Sequence, residues 1–118
     1  MLNKIILMGR LTKDPELRHT QNDIPVASFS LAVDRNYVKD GKRETDFIDI
    51  VAWQRRAEFV SKYFQKGQLV CVEGSLQRRT WTDANDQTRY AYEVIVDSAH
   101  FAGYNKAEEF DPFAAEAA

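Results

Sequence analysis

The 118-residue chain has one cysteine, two histidines, three prolines, five glycines and no long apolar run. Each shortage removes a class of explanation. With Cys71 alone, neither an intramolecular disulfide framework nor a cysteine-based zinc cage can form. It stands within Leu-Val-Cys-Val, where a small buried core residue is expected rather than a reactive thiol. His19 and His100 are the only imidazoles, and they show neither metal-ligand spacing nor an acid–base partner. No catalytic anchor, metal or cofactor is expected. No stretch approaches the roughly 18 apolar residues that cross a bilayer. The first ten residues also lack a charged leader and a small-residue cleavage site. The chain therefore reads as a mature cytosolic protein with no membrane partner.

The size suits one domain with a single modest core. The formal net charge is −2, but the acids are unevenly placed. From Lys106 onward one base meets Glu108, Glu109, Asp111 and Glu116, which leaves 15 bases and 14 acids in residues 1–105. A near-neutral body with an acidic tail does not forbid a basic groove, because binding follows where charges lie rather than their sum.

What is present is alternation. Residues 4–11 form an apolar, β-prone run in which Gly9 marks a bend or bulge, and Lys13-Asp14-Pro15-Glu16 breaks it. Residues 17–20 can add a short edge strand, and Gln21-Asn22-Asp23 is turn chemistry. Residues 26–38 alternate, with Phe29, Leu31 and Val33 inward. Asp40-Gly41 then predicts a hairpin into residues 45–53, where Ile48, Ile50 and Ala52 take the core face and Phe47, Asp49, Val51 and Trp53 the other. Residues 55–65 change to helical spacing through Phe59, Val60, Tyr63 and Phe64, whose aromatics are expected in the core, and Gly67 stands where a C-cap is expected. Residues 69–81, bent at Gly74, and 88–101 are two more strands around the polar loop 83–87. Three strands, a helix and two strands fit an all-β, five-stranded oligonucleotide-binding (OB) barrel with its helix between strands three and four. The pattern alone leaves another small barrel open.

Four aromatics fall away from the predicted core: Tyr37, Phe47, Trp53 and Trp81. Any one of them, the tryptophans especially, could be a large core residue. Interleaved with Arg10, Arg35, Arg55, Lys62, Arg78 and Arg79, they form a track of flat faces and cations. Unpaired bases stack on such faces at about 1–3 kcal/mol each, nearly independent of base identity, while cations neutralise phosphates. A single-stranded nucleic acid fits this chemistry, and a duplex, with its bases hidden, does not. An OB module for RNA or protein is the competing reading if the aromatics are buried. A nuclease would need clustered carboxylates for a metal, and the acids here are scattered.

Residues 3–18 (Asn-Lys-Ile-Ile-Leu-Met-Gly-Arg-Leu-Thr-Lys-Asp-Pro-Glu-Leu-Arg), Val-Ala-Ser-Phe-Ser-Leu-Ala-Val at 26–33, Val-Glu-Gly-Ser-Leu at 72–76 and Arg-Thr-Trp-Thr-Asp at 79–83 resemble, in order and spacing, the bacterial single-stranded DNA-binding protein family. The resemblance covers residues 1–104 and implies an OB domain, a homotetramer that wraps single-stranded DNA, and work in replication, recombination and repair in the nucleoid. Its stacking positions fall on Tyr37, Phe47, Trp53 and Trp81, with Tyr37 standing where the family commonly has tryptophan. Family chains typically end in a long linker and an Asp-x-Pro-Phe tip that docks partner enzymes. Here residues 105–118 form a short acidic tail, expected to be disordered, whose Phe110-Asp111-Pro112-Phe113 is followed by five further residues. The shortness also resembles paralogues that protect incoming DNA during competence. Asp49 is out of character on a DNA face and is expected to pair with Arg79 or Arg35.

Overall fold

The computed structural model describes residues 1–103. Strands β1 (Ile5–Leu11), β2 (Glu16–His19), β3 (Pro25–Lys39) and β4 (Lys42–Trp53) precede helix α1 (Arg55–Tyr63), and β5 (Leu69–Thr82) and β6 (Thr88–Phe101) follow it. They form one sheet in the order β1-β5-β6-β4-β3-β2. Within it β4 runs parallel to β6 at Ile50↔Val94 and Val51↔Ile95, and one further pairing closes it, β1 with β3 at Arg10↔Ala32 and Leu11↔Leu31. The result is a five-stranded barrel with β2 added along the outside of β3, and the helix sits where the OB order requires.

The strand period of two decides what lies inside. Ala27, Phe29 and Leu31 of β3, Ile50 and Ala52 of β4, Val70 and Val72 of β5 and Val94 and Val96 of β6 converge on the core. Ala57, Val60 and Phe64, at spacings of three and four, plug it from the helix. Each large side chain so buried contributes about 1.5–3 kcal/mol relative to exposure.

Backbone chemistry sets the bends. Asp40 and Gly41 both have positive φ, 51° and 75°, as the two-residue turn between Lys39 and Lys42 requires. At Gly9 a Cβ would stand 2.5 Å from the Ala32 carbonyl oxygen, so only glycine lets β1 pass from β5 onto β3. Gly74 lies against the Ile95 carbonyl at a register shift where Glu73 pairs with Ser98 but Gly74 with Val96. Asp97 is the extra residue of that bulge, and Arg56 of α1 donates through Nε to its carbonyl.

Three expectations need correction. Cys71 is only half buried: in a strand whose core residues are Val70 and Val72 it faces outward, between Met8 and His100. Gly67 does not cap the helix, which ends on extended Phe64; its φ of 84° serves the following turn, where its N–H donates to the Leu11 carbonyl at 2.7 Å. Of the helix aromatics only Phe64 enters the core. Phe59 and Tyr63 remain exposed, with their rings 5.2 Å apart, and Phe59 also meets Phe101 at 6.3 Å. The helical stripe is wider than the barrel mouth it covers.

Candidate nucleic-acid interface

The outer face of β3–β4 is built by register. Val26, Ser28, Ser30 and Ala32 stand opposite Trp53, Val51, Asp49 and Phe47. Phe47 is 70% exposed and Trp53 41%, while Val26 and Val51 between them are buried. A wet aromatic surface thus rests on an apolar floor. The floor opens into a cleft of about 680 Å³, bounded by Thr12, Lys13 and Asp14, by Arg18 and His19 of β2, and by Arg79 and Glu93 of the β5–β6 hairpin. β2 reaches the cleft because it pairs with the first residues of β3, Glu16↔Ser28 through His19↔Pro25. This is the strand face and loop combination through which OB barrels take oligonucleotides.

The β5–β6 hairpin carries two chemically different faces. On the cleft face Trp81, 40% exposed, lies beneath the Arg79 guanidinium, 4.5 Å from its ring, and Arg79 Nε pairs with Glu93 Oε1 at 3.3 Å. On the reverse face Arg78 covers Tyr90 at 4.4 Å, and Tyr90 meets Tyr92 edge-on at 6.0 Å. Arg78 and Arg79 are neighbours in sequence but serve opposite faces, as successive strand residues must. The loop is held by Asp83: its Oδ1 accepts the Asn85 and Gln87 N–H groups, and its Oδ2 accepts Arg89 Nε at 2.8 Å. These contacts, the Arg89 hydrogen bond first, hold the Asp83 carboxyl below its ordinary range.

At the tip of β3–β4 the register breaks between Asp34 and Val38, and Tyr37 lies in the break, well exposed. Arg35 donates to Asp46 through Nε at 3.1 Å and Nη2 at 3.0 Å, and through Nη1 to Glu44 at 2.8 Å and to the Tyr37 hydroxyl at 3.2 Å. The bidentate bond lowers the Asp46 carboxyl and raises Arg35. Arg35 therefore orients Tyr37, with its own charge balanced by two carboxylates.

The remaining basic residues are dispersed. Arg10 donates to the Gly67 carbonyl at 3.0 Å, Arg55 opens α1, and Lys62 lies 5.4 Å from the Tyr63 ring. Of the residues singled out by pattern, Trp53, Asp49 and Arg79 line the cleft itself; Phe47 and Trp81 each lie two residues from a lining residue on the same strand face, and Tyr37 stands farther out, near the tip of β3–β4. Lys13, Arg18, His19, Ser28 and Ser30 were not legible as site residues, because residues 13–16 read as a break, 17–20 as a short edge strand and 21–23 as a turn, while Ser28 and Ser30 read only as the small polar side of the strand at 26–38. Three basic or imidazole side chains within seven positions were the one available signal. The expected pairing of Asp49 is absent. Arg79 is held by Glu93 and Arg35 by Asp46 and Glu44, and among the described residues Asp49 enters no side-chain hydrogen bond or ion pair. Phe110, Asp111, Pro112 and Phe113 lie outside the described residues.

No group of three His, Cys, Asp or Glu side chains converges as a metal site among the described residues, and no helix among them is long and apolar enough to cross a membrane.

Comparison with known proteins agrees with this geometry. The profile of the single-strand binding protein family matches residues 2–102. A single-stranded DNA-binding protein of Caldanaerobacter subterraneus is 51% identical over 102 residues, which cover 86% of this chain and 68% of that one. The single-stranded DNA-binding protein 1 of Staphylococcus aureus is also 51% identical, with 65% of its length covered. Among solved structures, the Plasmodium falciparum SSB in complex with ssDNA superposes with a TM-score of 0.76 at 33% identity, over 87% of this chain and 96% of that one. On sequence and fold together, the chain belongs to the single-strand binding protein family.

Proposed function

We propose that the chain binds single-stranded DNA without regard to overall sequence, as a binding protein with no catalytic step. The observation that carries this reading is the outer face of β3–β4, where Phe47 and Trp53 stay exposed above a buried floor, beside a hairpin that presents Trp81 under a guanidinium. Unpaired bases stack on Tyr37, Phe47, Trp53 and Trp81, each contributing about 1–3 kcal/mol. Lys13, Arg18 and Arg79 supply positive charge within the cleft, while Arg10, Arg55, Lys62 and Arg78 lie off it and meet phosphates only where a strand continues around the barrel. Affinity then falls with salt by about 0.7 in log–log slope per phosphate neutralised on a single strand. The exposure of all four aromatics removes the buried arrangement that would have favoured the competing module, and titrating oligo-rU beside oligo-dT tells RNA from DNA as the preferred strand.

Self-assembly belongs to this reading. Among the described residues, β1 is paired along 5–8 with β5 alone, and Ile6 and Met8 expose apolar side chains on its outer face. A free edge beside an apolar face suits a second copy, and a homotetramer is the assembly the family resemblance implies. The cellular roles that follow are replication, recombination, repair or protection of incoming strands in the cytoplasm. The acidic tail, with Phe110 to Phe113, would be the contact for partner enzymes.

Intrinsic tryptophan fluorescence tests the central claim. Oligo-dT should quench Trp53 and Trp81 strongly, while duplex of equal length should not. Absent or equal quenching would overturn the reading. A pull-down with and without residues 106–118 tests the tail.

A further inference from the structure

Asp49 is a carboxylate on the aromatic face of β4, in a cleft whose walls also carry Asp14, Glu16 and Glu93 beside Lys13, Arg18 and Arg79. It shares a strand face with Phe47, two residues before it, and Trp53, four residues after it, about 7 and 13–14 Å away along β4. It lines the cleft, opposite Ser30 in register, and is exposed to its solvent. The arginines expected to neutralise it are bound to other acids. A negative charge without a partner among the described residues repels phosphate, so at this point of the cleft a strand directs its backbone to the cations of Lys13, Arg18 and Arg79 and its bases toward Asp49.

A carboxylate only accepts hydrogen bonds, so it distinguishes base edges by their donors. Resting on the single-stranded DNA reading, we infer that Asp49 gives the cleft a preference for bases that carry an exocyclic amino group. Cytosine presents its N4 amino group and adenine its N6 amino group. Guanine presents N1–H and the N2 amino group side by side, matching both carboxylate oxygens. Thymine and uracil present a single N3–H between two carbonyl oxygens, and those oxygens repel the carboxylate. Stacking on Phe47 and Trp53 is indifferent to identity. The residue between them is not.

The test compares oligo-dC with oligo-dU of equal length. They share a ring size and differ on one edge, where cytosine has an N4 amino group beside an acceptor N3 and uracil has O4 beside N3–H, and both are titrated at one salt concentration against the full chain and its Asp49→Ala and Asp49→Asn forms. Asp49 is exposed, so neither substitution threatens the core. The wild-type dC-to-dU affinity ratio should fall about three- to tenfold in Asp49→Ala, in keeping with the loss of one partly hydrated charge-assisted hydrogen bond. The fall should come with a gain for oligo-dU, and Asp49→Asn should be intermediate. If Asp49→Ala strengthens both ligands by one factor, Asp49 is only a repulsive charge and the inference fails. An unchanged ratio overturns it equally, while the single-strand reading stands as long as both oligonucleotides bind. Failure of the wild-type chain to bind either would sink both readings.

Discussion

Replacing Trp81 with alanine separates binding from stability. Trp81 lies on the β5–β6 hairpin opposite Arg89, outside the core cluster, with two-fifths of its surface exposed and Arg79 above its ring. Inside the protein it loses a cross-strand pair, about 0.2–1 kcal/mol, and an exposed cation–π contact, about 0.5–1 kcal/mol. The fold should therefore weaken by about 1–2 kcal/mol, at roughly 4–8 °C of melting temperature per kcal/mol. In the complex it loses a stacked base, about 1–3 kcal/mol, or roughly 5- to 150-fold in Kd. Anisotropy of a labelled oligo-dT and a thermal melt on the same sample read the two effects separately. Trp81→Phe keeps a flat ring and should recover most of the affinity. Unchanged affinity in Trp81→Ala would remove Trp81 from the site, and a cooperative loss of fold would return it to the core.

Glu93→Gln releases Arg79 from its carboxylate. It should raise single-strand affinity and steepen the log–log salt dependence by up to about 0.7, measured by titrations at several salt concentrations. Asp83→Ala removes the acceptor for two loop N–H groups and for Arg89, so amide exchange at Asn85 and Gln87 should accelerate and oligonucleotide affinity should drop. The Asp83 carboxyl is depressed in the fold, so its stabilising contacts are complete above the ordinary value of 3.8 and are lost as pH falls below it. Amide chemical shifts at the two loop positions should titrate there. Gly74→Ala drives a Cβ into the Ile95 carbonyl and should lower stability by about 1–3 kcal/mol in urea unfolding.

Local chemistry was readable wherever neighbours in sequence decide the outcome. Asp40-Gly41 carried its hairpin, and the alternation of residues 26–33 carried the inward set. The tryptophans separated from the core because strand parity is a local property. Charge pairing was not readable: Arg35 finds Asp46 across 11 positions and Arg79 finds Glu93 across 14, and only the register of β3–β4 and β5–β6 brings them together. Asp49 was assigned a partner that both arginines deny it. Cys71 failed for a different reason: in an unbroken apolar run such as Leu-Val-Cys-Val, side chains of similar character conceal which alternate ones face out. The short edge strand at β2 was expected but its role as a cleft wall was not, because it is four residues long and wholly exposed, with no hydrophobic pattern to assign it a face.

The bulge at Asp97 makes the two-sidedness of the hairpin a matter of counting. On the hairpin side of that residue the even-numbered positions of β6 share the face of Val94 and Val96; beyond it the odd-numbered Ala99 takes over the packing. Ironing out the bulge at constant length, so that Asp97 takes the place opposite Gly74 while Ala99 stays paired, would slide Tyr90 and Tyr92 to the side that carries Trp81 and turn Val94 and Val96 out of the core. Which rings share a face is thus set by one residue looped out of the ladder, and the burial of Val94 and Val96 holds it there.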